Sequence, residues 1–137
     1  MIKIILLCLL TSLHVHAHGE NSLGPNGGYI RMPGAFHTEV VPTDKNQLDV
    51  YLLDLEWKNP SVTQSSLTVV HHGKSDTTAH CQIIKDHYHC QFSNSVHLTK
   101  KGELKVTAQR EGQSGNAVSY SLPFKRETLS NKHGDHN

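Results

Sequence analysis

In QLDVYLLDLEW, residues 47 to 57, Leu48, Val50 and Leu52 fall on one face of an extended chain while Asp49, Tyr51 and Leu53 fall on the other. That is the two-residue period of a β-strand with one face toward a core. Comparable runs recur along the chain: YIRM and AFHTEVV about a Pro33-Gly34 turn, then SSLTVVHH, TTAHCQII, HYHCQF, ELKVTAQR and AVSYSLPF. Between them lie GKSD, KD, TKKG and EGQSGN, and SLGPNGG precedes the first, all built from turn-forming residues. No segment repeats its apolar positions with a helical period. Seven or eight short strands at this spacing predict an all-β protein, an immunoglobulin-like β-sandwich.

The alternation is absent at both ends. MIKIILLCLL carries one early cation, Lys3, and then an apolar run to Leu10 that falls well short of the roughly 20 residues needed to cross a bilayer. This predicts a secretory signal peptide over residues 1–17, cut between Ala17 and His18, with Val15 and Ala17 at the small-residue positions before the cut. Cys8 lies inside the run and lacks the small-residue context of a lipidated cysteine. Removal of 17 residues from 137 leaves 120, enough for one domain with a modest core. We place the β-sandwich at 18–126 and a flexible, histidine-containing tail, ETLSNKHGDHN, at 127–137. The expected destination is periplasmic or secreted, with no stable membrane insertion after cleavage.

Lys3 is the only charge in the signal, so cleavage takes the formal net charge from +1 to 0. A neutral chain argues against nucleic acid as a partner. Histidine changes the picture more. Of twelve histidines only His14 and His16 leave with the signal, and imidazole is the commonest metal-binding side chain.

The cysteines set a register. If CQIIKDHYHC turns at Lys85-Asp86, Ile84 faces His87, Ile83 faces Tyr88, Gln82 faces His89 and Cys81 faces Cys90. An opposed pair can form a disulfide in an exported protein; the rival is a pair of thiolates binding metal beside nearby histidines. Lys-Asp is not a favoured two-residue turn. In this register Cys81, Ile83, Tyr88, Cys90 and Phe92 form the core face. His80, Gln82, Ile84, His87, His89 and Gln91 share the other.

His87 and His89 therefore project together from one strand. His71 and His72 are adjacent, point to opposite faces, and can contribute only one imidazole to any cluster. His18, as a first residue, would offer its α-amine and its imidazole as a chelating pair of the nitrogen-rich type that Cu(II) prefers. His37 shares a strand face with Glu39 and is a candidate ligand or a surface residue. His133 and His136 could form a weak site in the tail, and His97 reads as an ordinary surface histidine. The candidate metal ligands are His18, His37, His71, His72, His87 and His89, with copper foremost and zinc or nickel possible.

The stretch GPNGGYIRMPGAFHTEVV followed by LDVYLLDLEWKNP, about residues 24 to 60, resembles a small periplasmic heavy-metal-binding module associated with metal efflux systems. In that module a Gly-Gly turn leads into a strand ending His-x-Glu-Leu/Val, and a Leu-x-Val-Tyr-Leu-x-Asp strand follows. Members often carry histidine before the Gly-Gly pair, where this chain has Asn26. The mature HG start also resembles periplasmic copper-resistance carriers and histidine-brace copper proteins. The resemblance implies His37 and His18 as ligands, and a metal efflux or delivery protein as a partner.

The chain has no serine nucleophile elbow, phosphate loop or HExxH string, so we expect no enzyme. The sequence points to an exported transition-metal-binding protein for storage, delivery or resistance. The alternatives are a metal-independent extracytoplasmic interaction module that uses a sheet edge, and a small histidine-brace copper enzyme.

Overall fold

The computed structural model describes residues 23–125. The expected signal peptide and cleavage point, together with His18, His133 and His136, lie outside the described residues. Ten strands follow in order: β1 (Tyr29–Arg31), β2 (His37–Asp44), β3 (Gln47–Leu53), β4 (Ser66–His72), β5 (Asp76–Thr78), β6 (His80–Ile84), β7 (His87–Gln91), β8 (Gly102–Arg110), β9 (Gln113–Ser114) and β10 (Val118–Leu122). The described residues contain no helix. One sheet runs β1-β2-β3-β7-β6 and the other β10-β8-β4-β5 with β9 on β8, every pairing antiparallel. They pack as a β-sandwich, in which the eight runs of the sequence become ten strands because TTAHCQII divides into β5 and β6 and the two-residue β9 is added on β8.

The core comes from the predicted faces. Val40, Leu48, Val50, Leu52, Tyr88 and Cys90 point inward from the first sheet, and Val69, Leu104, Val106, Ala108, Tyr120 and Leu122 from the second. Each fully buried aliphatic or aromatic side chain contributes about 1.5–3 kcal/mol. Two tyrosines carry their hydroxyls into this interior with partners: Tyr120 to the Thr38 hydroxyl at 2.7 Å and Tyr88 to the Ser65 hydroxyl at 2.6 Å. Among the described residues no buried side-chain nitrogen or oxygen lacks a hydrogen bond.

Two segments depart from the sequence reading. QLDVYLLDLEW stops being a strand at Leu53, because the Asp54 carboxylate accepts hydrogen bonds from the Glu56 and Lys58 amides and the Asn59 side chain. Trp57 and Asn59 take the left-handed conformation in this turn, with φ of 63° and 52°. Arg110 closes it from the far sheet, donating to the carbonyls of Leu52 and Asn59. TTAHCQII is two strands rather than one. The chain leaves the second sheet after Thr78 and enters the first at His80, and the intervening Ala79 amide still bonds the Val69 carbonyl at 2.9 Å.

The β6–β7 hairpin has the predicted register, Cys81 opposite Cys90 through Ile84 opposite His87, and turns at Lys85-Asp86 with Lys85 at φ 57°. Cys81 and Cys90 are joined in a disulfide, which removes both sulfurs as metal ligands. Closing a loop this short contributes about 2–3 kcal/mol on the chain-entropy account. Ile83 is the exception on the core face: β6 is the outermost strand, and Ile83 remains 53% exposed at the rim.

Candidate functional site

The outer face of the first sheet carries the histidine pair. β3 lies beside β7 with Asp49 directly opposite His89, which brings a carboxylate from the polar face of LDVYLL between the two imidazoles of HYH. Asp49 Oδ1 accepts a hydrogen bond from His89 Nδ1 at 2.7 Å, and Asp49 Oδ2 lies 3.6 Å from His87 Nε2. The Asp86 carboxylate takes the other ring nitrogen of His87 at 3.1 Å. Tyr51 stacks on the His87 ring, centroids 4.5 Å apart. All of these groups are half-buried, apart from the exposed Asp86. Burial pushes the Tyr51 phenol above its ordinary value, and the carboxylates of Asp49, Asp86 and Glu39 push it further.

These contacts have a chemical consequence. With its proton on Nδ1 and aimed at Asp49, His89 presents the Nε2 lone pair outward, the carboxylate–imidazole orientation that prepares a metal ligand. The 3.6 Å between His87 Nε2 and Asp49 Oδ2 is too long for a hydrogen bond. It is close to the separation of about 3.4 Å expected of two donors sharing one tetrahedral ion such as zinc at about 2.0–2.2 Å; adjacent donors on a tetragonal Cu(II) stand closer together. Among the described residues, no group of three or more His, Cys, Asp or Glu side chains is arranged to hold a metal ion by itself.

The remaining histidines are dispersed. His37 is neither on the surface nor beside another imidazole: it is 8% exposed, its Nδ1 meets the Asp54 carbonyl at 3.1 Å, and its ring packs edge-on against Trp57. His71 and His72 point to opposite faces of β4, as adjacent strand residues must. His72 lies outside, bonded to Asp76 at 2.7 Å. His71 turns inward at one end of the sandwich, edge-on to Phe92 and against Gly73 and Gly102. His97 lines a cleft with His71 instead of standing alone on the surface. His80 is exposed opposite Gln91.

Sequence reasoning overlooks three participants. Asp49 and Tyr51 are visible as the polar face of β3, but nothing local says that β7 is the neighbour. Glu39 is wholly buried on the same outer face, where it accepts hydrogen bonds from the Asn26 amide (2.8 Å), the Asn26 side chain (2.9 Å) and the Gly28 amide (3.0 Å). Asn26, the departure from the efflux-module pattern, is thus the residue that ties the entering chain to the sheet.

Burial, and next the neighbouring His72, hold the His71 pKa below its ordinary value. A histidine depressed in the folded state gives stability that is complete above the unfolded value near 6.5 and is lost as pH falls through it toward the folded value. The melting-temperature advantage of the wild type over His71→Gln is therefore expected to shrink as pH is lowered from about 7.5 to about 5.5. A gap that widens on acidification would contradict the assignment.

Comparison with protein families, with curated proteins and with solved structures finds no match to this chain.

Proposed function

We propose that this is an exported protein, periplasmic or secreted, that binds a transition-metal ion for storage, delivery or resistance, copper foremost and zinc or nickel as alternatives. One observation carries the reading: Asp49 lies between His87 and His89, orienting one imidazole and facing the other across a gap of ion-sharing length. The ligand set is completed by His18, freed by cleavage after Ala17. Its amine and imidazole add two nitrogens of the kind Cu(II) favours. Glu39 holds the entering chain, at Asn26 and Gly28, on the face that carries Asp49. A metal efflux or delivery protein is the proposed recipient of the ion.

The test is titration of the purified native protein with Cu(II), Zn(II) and Ni(II), with the true first residue established by mass spectrometry. Saturable binding is expected, weakened about 10- to 100-fold by Asp49→Ala and at least as much by His89→Ala. It should fall as pH drops below about 6.5, where imidazoles protonate. A residue added ahead of His18 should weaken copper binding as well. Binding that ignores all of these changes would sink the proposal.

A second reading has its own support. β6 is an edge strand of the first sheet, and Ile83 and Ile84 on it are 53% and 40% exposed. Such an edge suits a metal-independent interaction module that adds a partner's strand. Partner binding lost on Ile83→Lys, with no response to any of the three metals, would select this reading over the first.

A further inference from the structure

At one end of the sandwich the β4–β5 turn and the loop between β7 and β8 approach each other and enclose a cleft of about 390 Å³. GKSD and TKKG read as unrelated turns in the sequence, but folding brings Lys74 from the first and Lys100 and Lys101 from the second to the same opening. No aspartate or glutamate lines it, and among the described residues none of the three ammonium groups has a carboxylate partner. Like charges gathered without a counter-ion repel one another. In a chain of formal net charge +1, three cations at one opening are a local concentration.

The lysines stand on an ordered base. Val96 and Leu98 anchor the β7–β8 loop in the core at 3% and 2% exposure, and the Leu98 amide bonds the Lys45 carbonyl at 2.7 Å. The Lys100 amide then closes a turn onto the His97 carbonyl at 3.1 Å. Opposite, His71 is held at the mouth by Gly73 and Gly102: a Cβ on Gly73 would stand 2.8 Å from its Cε1, and one on Gly102 3.1 Å from its Nε2. Ser75, Thr77, Ser95 and His97 add neutral polar groups to the lining.

We infer that this cleft binds a small phosphate-bearing anion, with Lys74, Lys100 and Lys101 supplying the positive charge and Ser75 and Ser95 the neutral donors. Lysine meets phosphate as a compact point charge, and three lysines at one opening suit an anion that carries several negative charges close together. Its volume lies at the lower end of the range for small-molecule sites, which suits a diphosphate or a small organic phosphate rather than a polymer. The inference is independent of the metal reading, since Asp49, His87 and His89 are not part of this cleft.

Pyrophosphate titrated into the native protein by calorimetry is expected to bind one-to-one, with affinity falling as salt is raised. The double substitution Lys100→Gln, Lys101→Gln should weaken it by about tenfold or more, with the melting temperature checked for an intact fold. Lys85→Gln, at the β6–β7 turn, and His89→Ala should leave it unchanged. Non-saturable binding, equal affinity in the double variant, or citrate binding as tightly as pyrophosphate would each overturn the inference, the last by making the site a carboxylate receptor.

Discussion

Glu39→Ala is expected to lower the unfolding free energy by about 3 kcal/mol, read as a shift of the urea midpoint at unchanged slope. The side chain has no exposure to solvent and accepts three hydrogen bonds, from two amides and a side-chain amide of one short loop. Truncation leaves the buried Gly28 amide without its acceptor, while the donors of the exposed Asn26 can turn to water. Each unpaired buried donor costs about 1–3 kcal/mol before the loop relaxes. The loop has little room to close in at Gly28, which lies against the Val40 carbonyl: a Cβ added there would stand 2.5 Å from that oxygen. Glu39→Gln keeps one acceptor oxygen and should lose less than half as much. If alanine and glutamine were equally harmful, or both harmless, the clamp would not be the reason that this carboxylate is buried.

Phe36→Ala should be costlier still, about 3–5 kcal/mol. The ring is 1% exposed in the core cluster, just before β2 begins, and it packs against Gly115 from the loop ahead of β10, where an added Cβ would stand 3.0 Å from Cζ. Removing it opens a cavity between loops that belong to different sheets, so neither sheet alone can close the gap. Against a total of about 5–15 kcal/mol for a domain, such a loss leaves little reserve. Phe36→Leu, which retains most of the volume, should recover over half of the deficit. A small effect of the alanine substitution would mean that the Phe36 pocket refills from its surroundings.

The contrast between what the sequence discloses and what it conceals follows contact range. Faces within one strand were legible, as in Leu48, Val50 and Leu52, because alternation is set by the backbone pleat alone. So was the pairing of Cys81 with Cys90, whose partners are separated by a single turn. The crossing of the chain between sheets at Ala79 was hidden, because nothing in TTAHCQII distinguishes a strand that continues from one that changes sheet. Asp49 beside His89, and Lys74 in one cleft with Lys100, were hidden for a related reason: each meeting depends on which segments become neighbours, and that is decided by the whole core. Of the candidate ligands among the described residues, only His87 and His89 meet at one carboxylate, Asp49, while His37 serves the Asp54 turn.

The disulfide within the β6–β7 hairpin bears on how copies of this molecule can exchange segments. β6 is the outermost strand, carries two exposed isoleucines, and follows directly on the step from one sheet to the other, so it is the natural arm for domain swapping. While the bond is intact, β6 cannot leave its own β7, and reciprocal swapping of that arm is topologically barred. A thiol reductant would lift the bar and let entwined dimers accumulate.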